Sequence, residues 1–360
     1  MGTTSTVGLD LAKSVFQVHG ADTGGHVMAK RKLRRGDVLA YFEKLPPCLV
    51  GIESCGTAHH WAREIRALGH EVRLIPPQYV KPFVKRGKTD AADAAAICEA
   101  VTRPSIQPVP IKTIEQQSLL VLHRARALLV GQRTQTLNAI RSHIAEFGLI
   151  AATGNTGALA LLAIVRNVDD TRLPALARCA LSVLASALET IERGIAALDA
   201  EIAQAHAANP LSQRLDTIPG IAALTATAFA ASIGDASVFK SGRSFSAWLG
   251  LTPKISGSGG TVTLGEITRC GDRYLRRLLY SGATSVVLQA KMRPAAYPWL
   301  TKLLGKLKFK QVAIALANKM ARIIWALMVR GGVYRPGHQA AIYAEPAKGS
   351  AMTAFAALPA

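Results

Sequence analysis

Four carboxylates in the first hundred residues have the types and spacing to gather divalent metal ions. Asp10 lies within VGLDLAKS, where the apolar run reads as a strand that continues through Leu11 and Ala12. An acid inside such a strand is costly unless something pairs with it. Glu53 ends a second apolar strand, CLVGIES. Asp90 and Asp93 stand three apart in TDAADAAAICEAVTR, so on a helix they share one face, with Thr89 as the N-cap. Brought to one point, these carboxylates repel and raise one another's pKa unless a cation neutralises them. Hard ions with oxygen ligands suit such a set, Mg²⁺ first and Mn²⁺ as a substitute. Two ions about 3.5–4 Å apart would activate a water and stabilise a leaving oxygen in phosphodiester cleavage. Lys85, Arg86 and Lys88 precede Asp90 and are placed to clamp a nucleic-acid backbone entering that site. His59 and His60 read as surface residues of a helix start.

The elements that must position the acids follow from hydrophobic periodicity. VGLDLA, FQVHG and HVMAKRKL read as three consecutive strands, RGDVLAYFEKL as a helix, and CLVGIES as a buried strand. TAHHWAREIRALG is a helix closed by Gly69, EVRLI a strand stopped by Pro76-Pro77, and the segment from Thr89 a helix. That order predicts a ribonuclease-H-like α/β domain over about 1–105, in which the strands of Asp10 and Glu53 lie side by side. Residues 106–208 read as helical. Leu181, Leu184, Leu188, Ile191, Ile195, Leu198 and Ile202 alternate steps of three and four, a heptad seam for either a helical hairpin or a coiled coil between subunits. Residues 209–335 form a third, mainly helical region, and 336–360 read as a flexible tail. Within the third region LDTIPGIAALTATAFAASIGD resembles a helix-hairpin-helix phosphate-binding element.

Charge narrows the partner. The chain of 360 residues carries a formal net charge of +20, which points to a polyanion, nucleic acid first. The basic residues cluster: between Arg269 and Arg335 the only acid is Asp272. Arg269, Arg273, Arg276 and Arg277, with Lys254 upstream, are the candidate phosphate contacts there. The five cysteines form no CxxC pair, which argues against a zinc site or a disulfide framework and for reduced thiols in a cytoplasmic protein. No uncharged run spans a bilayer; Gln311–Val329 contains Lys319 and Arg322 and reads as a basic amphipathic helix, so no membrane partner is expected. VGLDLAKS also suits the first phosphate strand of an actin-like ATPase, but a second Asp-x-Gly-rich loop is missing from the sequence.

The stretch Ser256-Gly257-Ser258-Gly259-Gly260, within PKISGSGGTVTLG, reads as a small, open Gly/Ser loop that can form a short hairpin, beside Lys254 and a basic helix. Taken alone it reads as a linker, because a serine nucleophile needs a base, metal or cation to activate it and none adjoins it in sequence.

Taken together, GLDLAKSVFQVHG, GIESCGTAHHWAREI, VKPFVKRGKTDAADA, IPGIAALTATAFAASIGD, FSAWLGLTPKISGSGGTVTLGEITRCGDRYLRRLL and ANKMARIIWALM resemble the DEDD transposases of bacterial insertion sequences, relatives of pilin-gene inverting recombinases. The resemblance runs from residue 5 to about 333. It implies a RuvC-like domain with Asp10, Glu53, Asp90 and Asp93 as its acids, and a C-terminal transposase domain with a serine nucleophile. Aligning the loop on its trailing Gly-Gly places that serine at Ser258. Relatives commonly read Ser-Ser-Gly-Gly there, so Gly257 is a departure and Ser256 a second choice. The resemblance further implies Mg²⁺, a transient phosphoserine link to donor and target DNA, a structured non-coding guide RNA, and homodimers or homotetramers. The readings that compete with it are a RuvC-like junction resolvase using metal-activated water and a non-catalytic nucleic-acid-binding protein.

Overall fold

The computed structural model describes residues 4–84, 89–258 and 261–335, which divide into two compact units. The first comprises residues up to 113 together with Ile233–Val238, and the second the remainder from Ile114.

In the first unit, β1 (Thr6–Asp10), β2 (Val15–Ala21), β3 (Val27–Arg34), α1 (Val38–Glu43), β4 (Leu49–Glu53), α2 (Ala58–Ala67), β5 (Glu71–Ile75), α3 (Pro77–Val80) and α4 (Asp90–Val101) follow one another. The sheet order is β3-β2-β1-β4-β5, with β1, β4 and β5 parallel and β2 and β3 antiparallel to their neighbours. This is the ribonuclease-H-like arrangement expected from the sequence, with the strands of Asp10 and Glu53 adjacent. One face of the sheet carries Val7, Leu9, Phe16, Val18, Val50 and Ile52 into a core closed by Val38, Phe42, Trp61 and Ile65 of α1 and α2. Phe16 meets Trp61 edge to face at 5.0 Å. The other face is covered by α4, which lies over β1, β2 and β4. Two local expectations shift. The strand ends at Asp10 rather than running on through Ala12, and Pro77 does not only stop β5 but occupies the first turn of α3, where a missing N–H costs nothing.

The second unit is helical apart from one hairpin. It runs α5 (Ile114–Ala145), α6 (Asn155–Arg166), α7 (Ala175–Ala207), α8 (Pro210–Asp216), α9 (Ala223–Ser232), α10 (Gly242–Trp248), β6 (Pro253–Ser258), β7 (Thr261–Ile267), α11 (Arg273–Met292), α12 (Pro298–Leu304) and α13 (Phe309–Arg330). The heptad seam of α7 is buried within the chain: α5 packs along α7, and Leu181, Leu188, Ile195 and Ile202 are buried. The seam therefore builds a helical hairpin. Ile140, Ile144, Leu161, Leu162 and Val165 close one end of it. The segment expected to be a basic amphipathic helix is α13, and it is a core helix. Val312, Leu316, Met320, Ile324 and Leu327 are buried, while Lys319 lays its ammonium 4.2 Å from the Trp299 ring centroid. Its length and composition alone would let it cross a membrane, but 56% of its most apolar 18-residue stretch is buried inside the unit. All five cysteines are free thiols, Cys48 and Cys98 buried and the other three exposed.

Candidate active site

The first unit brings its four acids to one end of the sheet. Leu9 and Ile52 are parallel neighbours, so Asp10 and Glu53, each the next residue, end adjacent strands at the same edge. Both are half-buried. Asp90 and Asp93 arrive on the first turn of α4, whose start is fixed by the Thr89 hydroxyl accepting from the Ala92 N–H at 3.2 Å.

Two glycines set the height of that helix. Gly8 and Gly51 are register partners on β1 and β4, each two residues before an acid and therefore on the same face as that acid. A Cβ on Gly8 would stand 2.1 Å from the Ala94 carbonyl oxygen and 2.5 Å from the Cys98 nitrogen. A Cβ on Gly51 would stand 2.7 Å from the Cβ of Val101 and 3.1 Å from Ile97 Cγ2. The α4 backbone rests on bare strand at Gly8, and the Ile97 and Val101 side chains rest on it at Gly51, so the acidic first turn of α4 is lowered toward the strand ends. The signal was present in the sequence as Gly-Leu-Asp and Gly-Ile-Glu, an apolar strand offering glycine two residues before its terminal acid.

The carboxylates feel one another. The pKa of Asp10 is pushed up to about 6, first by burial, then by the charges of Asp93, Asp90 and Glu53, against a lowering hydrogen bond from the Leu11 backbone. The thiol of Cys55 is raised for related reasons, by burial and by Glu53 and Asp10. Among the described residues, no three His, Cys, Asp or Glu side chains close on a single point as a finished ligand shell. The donor set, oxygen only and multiply negative, fits a hard divalent ion. His59 Nδ1 accepts from the Lys112 N–H at 3.2 Å, and His60 lies 3.7 Å from Glu64. Lys85, Arg86 and Lys88 lie outside the described residues.

In the second unit the Gly/Ser segment is a hairpin rather than a linker. Ser256 pairs with Thr263, Gly257 with Val262, and Ser258 with Thr261. Ser258 ends β6 at the tip, and Ser256 is exposed two residues earlier. Gly259 and Gly260 lie outside the described residues. The base of the hairpin is clasped. Arg276 Nη1 donates to the carbonyls of Leu249 at 2.9 Å and Cys270 at 2.7 Å, and the Thr268 N–H donates to Thr252 at 2.9 Å. Arg276 thus ties the start of α11 to the turn after α10, with one end of its guanidinium held by backbone. Arg269 has a left-handed backbone (φ 58°) and pairs with Glu266 at 2.6 Å. Arg273, Arg277 and Lys254 are exposed, Arg277 lying 5.2 Å from the Tyr274 ring centroid. Asp272, the lone acid of this segment, caps α11 by accepting from the Tyr274 and Leu275 N–H groups.

Beneath the same helix lies a buried polar pair that sequence reading missed. His123 of α5, 1 % exposed, is 3.0 Å from the Tyr274 hydroxyl and 3.1 Å from the Thr227 hydroxyl. Burial, and secondarily Arg126, lowers its pKa to about 4, so it is neutral at physiological pH. A lone His in a helical run carries no signal that distinguishes this role.

Comparison with known proteins agrees with the two-part organisation of the motifs. A family model for DEDD transposases of the IS110 type matches residues 7–148, and one described as "Transposase IS116/IS110/IS902 family" matches residues 212–297. A Pseudomonas aeruginosa protein described as a "Probable family 20 transposase" is 50% identical over 92% of this chain and 99% of its own length. The transposase for insertion sequence element IS1328 of Yersinia enterocolitica is 36% identical over 93% of this chain and 99% of its own. That for IS1111A of Coxiella burnetii is 36% identical over 92% of this chain and 91% of its own. Matched along nearly its whole length by such relatives, and carrying both family models in order, the chain belongs to the IS116/IS110/IS902 family of insertion-sequence transposases.

Proposed function

We propose that this transposase cuts and rejoins DNA strands at a site whose acidic half is Asp10, Glu53, Asp90 and Asp93. The observation that carries the reading is the convergence of the other three charges on Asp10, a half-buried acid in an apolar strand end. An energetically costly gathering of this kind is retained where a cation is to be held. Mg²⁺, bound by these oxygens, would neutralise the phosphodiester and polarise it toward attack. Asp10 and Glu53, on the ends of adjacent strands, and Asp90 and Asp93, on the capped first turn of α4, would be the residues that hold the ion.

The second half of the reading is a serine nucleophile, Ser258, at the tip of the β6–β7 hairpin. Its hydroxyl oxygen would form a bond to phosphorus as the bond to one DNA oxygen breaks, the serine proton leaving to solvent or base. The phosphoserine ester conserves the phosphodiester's bond, so a hydroxyl of the exchanged strand can later attack it and restore the serine. Arg273, Arg277 and Lys254 are available to hold DNA phosphates nearby, and Lys85, Arg86 and Lys88 are assigned the same task in the first unit. Guidance by a structured non-coding RNA, and assembly as a homodimer or homotetramer in which the acids of one protomer serve the serine of another, belong to the same proposal.

The test is a trapped adduct. Wild-type protein given Mg²⁺, guide RNA and a donor junction should yield a covalent protein–DNA species that is lost in Ser258→Ala and in Asp10→Asn. Cut DNA with free ends and no adduct would replace this reading by a resolvase-like attack of water. Intact function in Asp10→Asn would reduce the protein to a binder. Retention of the adduct in Ser258→Ala with loss in Ser256→Ala would move the nucleophile to Ser256, which the Gly257 spacing keeps in view.

A further inference from the structure

The sheet face that carries Asp10 continues past it to a basic edge. Cross-strand partners share a face, and the register reads Asp10↔Gln17↔Lys32 in one row and Gly8↔His19↔Lys30 in the next, with Arg34 opposite Val15. Lys30, Lys32 and Arg34 are therefore on the face of α4 and the acids, not on the face buried by α1 and α2. All three are exposed, and β3 is the edge strand of the sheet. At roughly 4.8 Å per strand, Lys32 sits about 10 Å from Asp10 between Cα atoms. That is about three nucleotide rises of 3.4 Å. Successive cations along β3 are roughly 7 Å apart, about two such rises. The opposite charges at the two ends of this row need a partner that is anionic along its length and can meet a cation at one point.

We propose that β3 is a backbone track, on which Lys30, Lys32 and Arg34 hold the phosphates of the DNA strand whose cleaved phosphate lies at Asp10 and Glu53. The proposal rests on the acidic-site reading, and it adds the path of the strand away from that site. The track holds phosphate by charge and reads no bases, since lysine ammonium groups on a flat strand meet phosphate oxygens without fixing a base edge.

The test separates the two claims by removing metal. Binding of a fluorescent oligo-deoxythymidine to the full chain is measured in excess chelator across a salt series, where cleavage plays no part. Lys30→Ala/Lys32→Ala should lower the salt slope by roughly 0.7 per lost phosphate contact, about 1.4 for the pair. Lys44→Ala/Arg66→Ala removes the same charge from α1's C-cap and α2's last turn, and should leave the slope near wild type. Lys30→Arg/Lys32→Arg should restore it. Equal slopes for the two alanine doubles, or an unchanged slope in the β3 double at native thermal stability, would overturn the track. Asp10→Asn should cleave nothing yet bind in chelator with the wild-type slope. If Asp10→Asn cleaves normally, the acidic-site reading fails while the binding result still decides the fate of the track.

Discussion

Gly8→Ala tests how the sheet positions the acids, because it adds a single methyl group and no charge. The new Cβ would lie 2.1 Å from the Ala94 carbonyl oxygen and 2.5 Å from the Cys98 nitrogen, both backbone atoms of α4. No rotamer change relieves either contact. Restoring ordinary van der Waals separation requires α4 to rise by about 1 Å at the turn that follows Asp93. Overpacking of this kind costs about 1–3 kcal/mol of stability. A displacement of about 1 Å at a catalytic group costs about a hundredfold in rate. Strand cleavage and transposition should fall by about two orders of magnitude in Gly8→Ala, with the fold retained by circular dichroism and the Mg²⁺ requirement shifted to higher concentration. Gly51→Ala provides the graded control. Its new methyl meets side chains of Ile97 and Val101, near the far end of α4 from the acids, and these can yield. Its rate loss should be the smaller at comparable stability loss. Wild-type cleavage by a folded Gly8→Ala protein would refute the argument that bare strand backbone sets the position of Asp90 and Asp93.

Other perturbations read the electrostatics and the clasp. The folded pKa of Asp10 is raised from 3.8 to about 6, so the native state binds the proton more tightly, and the acid's cost appears as pH rises through that range. At pH 7.5 in chelator, Asp10→Asn should therefore be more stable than wild type by about 1–2 kcal/mol after allowance for its partial exposure, the gain vanishing below about pH 4; a destabilised variant at neutral pH would contradict this. His123 has the opposite sign of shift for a base, lowered from 6.5 to about 4. Its contribution is complete above the unfolded pKa and is lost as pH falls toward 4, about 3 kcal/mol in all, so acid unfolding of the second unit should move to lower pH in His123→Gln if the amide keeps the Tyr274 and Thr227 contacts. Arg276→Ala leaves the Leu249 and Cys270 carbonyls without their charged donor and should cost about 1.5–3 kcal/mol, measured by urea titration. Arg277→Ala, on an exposed side chain, should instead flatten the salt dependence of DNA binding with stability unchanged, and equal destabilisation by both variants would remove the distinction.

Much of this protein is determined locally. Alternating and continuous apolar runs set β1, β2, β4 and β5, the Thr89 cap starts α4, and the three-strand opening followed by alternating helix and strand leaves little choice but the observed sheet order. Asp10 was the most legible of the acids because a carboxylate within an apolar strand is costly unless something pairs with it. The heptad seam was legible as a seam, but not its partner: periodicity describes one face of a helix, and only the packing of α5 along α7 decides that the face is filled from within the chain. The same limit applies to α13: its sequence reads as a basic amphipathic helix, and only the packing shows how deeply its apolar stripe is buried and that Lys319 lies over Trp299. Likewise Arg276, one of several similar arginines in sequence, is distinguished only by carbonyls 6 and 27 residues away. The charged groups and the elements that carry them can be read residue by residue, because propensity and hydrophobic period act over a few residues. Which of those groups share a face, and at what height, emerges only once the chain is packed. That depends on register and on backbone contact across distant strands and helices: Gly8 under Ala94, Asp10 beside Gln17 and Lys32, and Asp90 and Asp93 brought to strands more than thirty residues before them.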